Sequence, residues 1–204
     1  SGIANVAIGY QALDAEDDGD WNTAVGYQAL TAQTGTSGAV YNTAIGSQAG
    51  AAITTGTYST IIGAQAGKAI TTGAENTVVG TQALYANIVG TQNTTVGSIA
   101  GYNIIGSYTT AIGSQAARFA SGSNNTFIGY KAGYGGTTSA PFSSGENNVA
   151  IGYEALDGFT TGYYNIAIGV VAGGAITTGN NNIILGYAAL DAATATGHTI
   201  AIGS

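Results

Sequence analysis

Any chemistry in this sequence has to start from its acids. Five of the ten sit in one run, D-A-E-D-D-G-D, as Asp14, Glu16, Asp17, Asp18 and Asp20. Asp14, Glu16 and Asp18, followed by Gly19, have the 1-3-5-6 spacing of a calcium loop. The twelfth position is Val25, where an EF-hand needs a bidentate Glu. A solvated acidic turn is the expectation, with calcium as the alternative. Glu154 and Asp157 could be the paired carboxylates of a glycosidase. Similar segments elsewhere in the chain carry Gln, Lys, Ala, Tyr or Gly at these places, so two solvated turn residues are the simpler reading. His198 is the only His, so the chain cannot assemble a Ser-His-Asp triad or a two-His metal site. It is expected in a surface turn. Asn93 and Asn124 open N-x-T sequons, which an Asn- and Thr-rich chain contains by composition alone. No residue is assigned as catalytic, cofactor-binding or metal-binding.

Composition narrows the classes further. Lys and Arg supply three residues and the formal net charge is −7, so the basic footprint of a nucleic-acid binder is absent. With no Cys there is no disulfide or thiol chemistry. No apolar run approaches a membrane span, and no signal peptide is visible. The wet surface must be made from Thr, Ser, Asn, Gln and Tyr. Such a surface depends little on salt or pH.

The elements that carry these residues are repeats. A core written N-T-A-I-G begins at Asn5, Asn22, Asn42, Ser59, Asn76, Asn93, Thr109, Asn125, Asn148, Asn165, Asn182 and Thr199. The spacing is 17 residues, with insertions before Asn42 and Asn148. Residues 1–204 therefore read as one array. Counting from the Asn, position 5 is Gly in all twelve copies, position 4 is always aliphatic, and position 8 is Ala in the eleven copies that reach it. Short β-branched runs bounded by Gly, Asn and Ser are the strand signal. Gly supplies 34 residues and charged residues 6%, so no amphipathic surface helix can be written from this alphabet. A short strand recurring without an intervening helix predicts a parallel β-solenoid of about twelve coils, a rod roughly 55–60 Å long.

Within a coil, position 4 is expected to point inward. The segments A-I-T-T-G, A-N-I-V-G and Y-N-I-I-G echo the core, which predicts a second strand per coil and a flattened, two-sided roll. Position 3 is also apolar or small, and Tyr often follows the Gly. Both faces of the first strand therefore look partly buried, and a neighbouring chain is the economical partner. A recurring Asn can ladder from coil to coil. Thr pairs such as Thr54 and Thr55 are adjacent, so their hydroxyls point to opposite faces, and the first-strand Thr gives way to Val149, Ile166, Ile183 and Ile200 in the last repeats, so the flat Thr array of an ice-binding solenoid is not expected.

The segments N-T-A-V-G-Y-Q-A-L (22–30), N-T-A-I-G-S-Q-A-G (42–50), N-V-A-I-G-Y-E-A-L (148–156) and N-I-A-I-G-V-V-A-G (165–173) resemble the YadA-like head repeats of trimeric autotransporter adhesins. They are similar too to tandem repeats of bacterial surface proteins and phage tail fibres. The resemblance covers the whole chain, although family head repeats are often nearer 14 residues. It implies a left-handed parallel β-roll trimer.

The functional expectation is a non-enzymatic extracellular fibre segment, the shaft or head of an adhesin or tail fibre, with host glycans or proteins as partners. The alternative is a self-assembling extracellular filament subunit. A tailspike-type polysaccharide depolymerase comes third, because it needs a carboxylate groove that the sequence does not provide. Binding is expected where the period breaks: the acidic turn 14–20 and the insertions 31–41 and 134–147. Both ends of the chain lie inside the motif, so the expectation is a piece of a longer fibre or a rod that stacks end to end.

Overall fold

A computed structural model describes residues 2–16, 18–34, 38–136, 142–194 and 197–203. Asp17 and parts of both insertions therefore lie outside the described residues. The strands are β1 (Val6–Ile8), β2 (Gly19–Asp20), β3 (Thr23–Val25), β4 (Gly38–Ala39), β5 (Thr43–Ile45), β6 (Thr60–Ile62), β7 (Thr77–Val79), β8 (Thr94–Val96), β9 (Thr110–Ile112), β10 (Thr126–Ile128), β11 (Val149–Ile151), β12 (Ile166–Ile168), β13 (Ile183–Leu185) and β14 (Ile200–Ile202). All except β2 and β4 form one parallel sheet in chain order. Each strand covers positions 2 to 4 of a repeat and pairs in register with the same positions of the next, as Thr60, Ile61 and Ile62 do with Thr77, Val78 and Val79. The chain is thus an all-β parallel solenoid. At about 4.8 Å per step its twelve paired strands span roughly 53 Å.

The facing of the strand differs from the sequence expectation. Position 3 points inward, not position 4. Ala24, Ala44, Ile61, Val78, Thr95, Ala111, Phe127, Ala150, Ala167 and Ile184 are all fully buried. Ile112, at position 4, is 37% exposed, and Ile45 is 40% exposed. Period-2 alternation then puts positions 1 and 5 on the inner side with position 3. The interior is completed by the Ala at position 8 and by positions 9 and 12, such as Leu30, Leu84, Ile53 and Ile70. Volume is traded between these places. Ala24 and Ala150 share their coils with Leu30 and Leu156, whereas Phe127 shares its coil with Gly133. A Cβ on Gly133 would lie 2.3 Å from the Phe127 ring, so the largest core side chain needs that Gly.

The invariant Gly of position 5 has two physical causes. Gly80 has a φ of +136°, a region open to Gly alone. A Cβ there would also lie 2.4 Å from the carbonyl oxygen of Gly97 in the next coil. The Asn of position 1 is buried and holds coils together. Asn42 accepts from the Ser59 N–H (2.9 Å), and its Nδ2 donates to the Gly56 carbonyl (2.6 Å) of its own coil. Asn148 repeats this with the N–H of Asn165 (3.0 Å) and the carbonyl of Gly162 (2.9 Å).

The expected second strand is absent as a regular element. After the Gly, two successive turns follow. In the third coil the N–H of Ala49 donates to the carbonyl of Gly46 (3.2 Å) and that of Ile53 to Gly50 (3.0 Å). The A-I-T-T-G segment still bonds from coil to coil, through Thr54 N–H to Thr71 O (2.9 Å) and Thr71 N–H to Ile88 O (2.8 Å). Strand pairing on this side is confined, among the described residues, to β2 with β4 and to single bridges at Ala120–Ser143 and Asn180–Gly197. The cause is backbone conformation. Positions 7, 9 and 17 take positive φ in coil after coil, as in Gln48 (+57°), Leu30 (+49°) and Tyr58 (+58°), and with the second turn running to position 12 only a few residues are left between these bends. At position 7 a side-chain ladder supports this strained backbone: Gln28, Gln48, Gln65 and Gln82 each donate to the Gln one coil earlier at 2.8–3.1 Å.

Candidate functional site

The outer face of the sheet presents one uniform surface. It carries positions 2 and 4 of every coil. All twelve residues at position 4 and five of the twelve at position 2 are Val, Ile or Leu. The other seven at position 2 are Thr, running unbroken from Thr23 to Thr126 through Thr43, Thr60, Thr77, Thr94 and Thr110. None of these side chains is charged, and all are exposed or half-buried. Aromatic residues stack beside both ends of the strands. Tyr10 lies over Tyr27 (5.8 Å) and Tyr130 over Tyr153 (5.3 Å) just after the Gly. Trp21, Tyr41 and Tyr58 form a second stack just before the Asn, at 6.2 and 5.6 Å.

Sequence reasoning missed this face because it assigned the aliphatic column to the interior. The available signal was position 2, which exchanges Thr for Val or Ile without other change. A place that accepts both is half wet. The outward Thr column runs beside an aliphatic column in place of a second row of Thr, and gives way to Val149, Ile166, Ile183 and Ile200 in the last coils.

The acidic run is not arranged as a calcium loop in the described residues. Glu16 falls at position 12, where four other coils bury Ile53, Ile70, Ile104 and Ile176. Its Oε1 accepts from the N–H groups of Asp18 (3.1 Å) and Gly19 (2.5 Å). Asp20 Oδ1 accepts from the Ile3 N–H (2.7 Å). Two of the carboxylates thus organise the backbone of the turn. No group of three His, Cys, Asp or Glu converges as a metal site among the described residues.

Glu154 and Asp157 belong to a small charged cluster. Glu154 pairs with Lys131 (3.5 Å), one coil earlier in the column of the Gln ladder. The Lys131 ammonium also lies over the rings of Tyr130 and Tyr134, at 5.3 and 5.4 Å. Desolvation pulls the Lys131 pKa down, but Tyr130, Glu154 and Tyr134 together hold it above the ordinary lysine value. The Glu154 charge, with desolvation, raises the Tyr153 hydroxyl. Burial raises the Asp157 carboxyl, and the neighbouring Glu154 charge adds to this. Neither carboxylate lines either of the two grooves described next.

One groove, of about 480 Å³, lies on the last coil between Ala188–Leu190 and Ile200–Gly203. The second, of about 360 Å³, is lined by Ser144, Glu146, Asn147, Thr161, Tyr163 and Tyr164. It sits at the corner leading into β11 and β12. Of the remaining residues singled out in the sequence, His198 is exposed, Asn124 is exposed, and Asn93 is buried.

Comparison with protein-family models, with curated proteins and with solved structures found no match in any of the three. The surfaces themselves therefore carry the functional argument. No helix among the described residues is long and apolar enough to cross a membrane.

Proposed function

We propose that the chain is a stiff, non-enzymatic segment of an extracellular fibre, shaft or head, in which copies pack side by side as a trimer through the outer faces of their sheets. The observation that carries this is the uncharged, mostly aliphatic outer face running the full length of the sheet. Parallel sheets are almost always covered on both sides. The solenoid covers one side with its own interior and leaves the other bare. An apolar stripe of this length is a contact surface. A second copy of the chain fits it best, because it has the same rise per coil and keeps the aliphatic columns in phase over the whole rod. Two aromatic rails beside the stripe match the enrichment of Tyr and Trp at interfaces. The number three rests on the resemblance of the repeats to trimeric adhesin heads. An exterior setting is supported by a surface with few charges, whose coil-to-coil bonds depend little on salt.

Sedimentation equilibrium on the purified chain tests this. The expected mass is three protomers, unchanged by dilution through the micromolar range. A folded monomer overturns the proposal. A mass that grows without limit on concentration favours the filament alternative. The unbroken Thr column favours one further reading, ice binding by the same face. Thermal hysteresis from a monomeric chain would establish that reading instead.

A further inference from the structure

The groove at 144–147 and 161–164 breaks the repeat in a way that the regular coils do not. Its corner is built from positions 16 and 17 of successive coils. Elsewhere those pairs read Thr57-Tyr58, Ala74-Glu75, Thr91-Gln92 or Asn180-Asn181. Here Tyr163-Tyr164, the one tandem aromatic pair at this corner, follows directly on Glu146-Asn147. We infer that this groove binds a neutral sugar residue, such as the exposed end of a surface glycan. The inference rests on the fibre reading only for the setting in which the glycan is met.

Several observations converge on that ligand. The two Tyr rings are 5.4 Å apart and nearly perpendicular, at 78°. The edge of one ring meets one face of the other and the pair leaves the remaining faces uncovered; Tyr163 is 43% exposed and Tyr164 56%. An exposed aromatic face is apolar in the middle and suits the C–H face of a pyranose. Around it stand a carboxylate, an amide and two hydroxyls, from Glu146, Asn147, Ser144 and Thr161. Among the described residues no side-chain hydrogen bond uses these groups, and together they offer donors and acceptors. Neighbouring sugar hydroxyls need that mixture. The volume falls within the roughly 300–1,000 Å³ of small-molecule sites.

Charge decides which sugars. No cation lines the groove, Glu146 is its only charged residue, and the chain carries −7. Sialic and uronic acids are repelled. The backbone beneath is fixed coil to coil by Tyr164 N–H to Glu146 O (3.2 Å), Gly145 N–H to Thr160 O (3.1 Å) and Asn147 N–H to Ser123 O (3.3 Å). Little ordering is then required on binding. A shallow site of this kind binds each sugar weakly, and side-by-side copies would convert weak single contacts into firm attachment.

The test is saturation-transfer NMR on the full chain, with methyl glycosides of glucose, galactose, mannose and N-acetylglucosamine, and with sialyllactose as the acidic probe. At least one neutral glycoside should receive saturation at its ring C–H protons. Tyr163→Ala should weaken it about tenfold or more. Thr161→Arg, which fills the groove without removing a ring, should do the same. Glu146→Gln should let sialyllactose in. Tyr85→Ala, on another column of the coil, should change nothing. The inference is overturned if no neutral glycoside is saturated, if sialyllactose is preferred by the unmodified chain, or if both groove variants bind as before. The mass of each sample separates the two readings. A trimer without sugar binding removes the groove alone, and a monomer that binds sugar removes the fibre alone.

Discussion

The side chain of Asn76 accepts a hydrogen bond from the backbone N–H of Asn93, one coil further on, at 3.0 Å. The same amide donates from Nδ2 to the Gly90 carbonyl of its own coil at 2.9 Å. One buried side chain therefore closes a coil and fastens the next to it. Both groups it serves are backbone groups inside the roll, where a missing partner would cost about 1–3 kcal/mol each.

Ser59 is the weak member of this column. Its Oγ accepts from the Asn76 N–H at 3.2 Å, but it donates backward, to Thr57 O of the preceding coil at 3.4 Å, and not to its own coil. Ser59→Asn should restore the second bond, to Gly73. The expected gain is about 1 kcal/mol, or a Tm higher by roughly 2–4 °C. Thermal melting followed by circular dichroism checks it, and a lower Tm would show that the site has no room for the amide.

The facing of the strand yields a paired test. Ala111 is fully buried and its neighbour Ile112 is 37% exposed on the outer face. Ala111→Asp should destabilise the rod by on the order of 3–5 kcal/mol, because an unpaired charge enters the core. Ile112→Asp should leave the β-type circular dichroism of the chain intact and lower its mass in solution. The reverse pattern, with Ile112→Asp unfolded and Ala111→Asp folded, would return position 4 to the interior.

The period, the strand positions and the stacking were legible in the sequence because the column from Gly9 to Gly203 obeys a constraint that only Gly satisfies, and because position 1 keeps Asn or a short hydroxyl residue in every copy. The facing was not. Position 4 looks like core because it never varies from aliphatic, whereas position 3 ranges from Ala111 to Phe127. That variation is volume exchange with positions 9 and 12, as Phe127 and Gly133 show, and it cannot be seen one column at a time. The turn wall was hidden for a different reason. Gln, Leu and Tyr are not residues that announce positive φ, yet Gln65, Leu84 and Tyr108 all adopt it. The groove at 144–147 lies at the end of the longer insertion, which the break in the period marks. Tyr163 and Tyr164 lie one coil beyond, and only the stacking brings them to it.

Ile99 interrupts the Gln ladder and holds a β-branched side chain at a φ of +60°. Such a residue is a strained choice in the left-handed region. Ile99→Gln should relieve that strain and bridge Gln82 to Gln115. The expected change is a stabilisation of about 1 kcal/mol. Denaturant melting would reveal it as a higher midpoint with an unchanged slope; an unchanged or lower midpoint would mean that packing of the isoleucine outweighs the strain.

Asp157 sets an acid-side response. Its folded pKa is raised above 3.8, first by burial and then by Glu154. The folded state therefore binds the proton more readily than the unfolded chain. This group opposes folding when ionised, above its folded pKa, and the opposition is relieved as pH falls through that value toward 3.8. Asp157→Asn should raise Tm at neutral pH and flatten the Tm profile between pH 7 and 4 relative to the unmodified chain. Parallel profiles for the two proteins would show that the carboxyl is not under this strain.

The coil-to-coil bonds, from the Asn76–Asn93 contact to the strand pairs, all lie along the axis of the rod. Tension applied at the two ends of one chain thus meets them in series. Each coil can peel away while its neighbours hold, turning a rise of about 4.8 Å into a contour of roughly 58 Å. A single rod is in mechanical terms a sacrificial tether that lengthens about twelvefold under load. Bundling copies side by side makes the strands share that load, so association would set the force at which the tether begins to give.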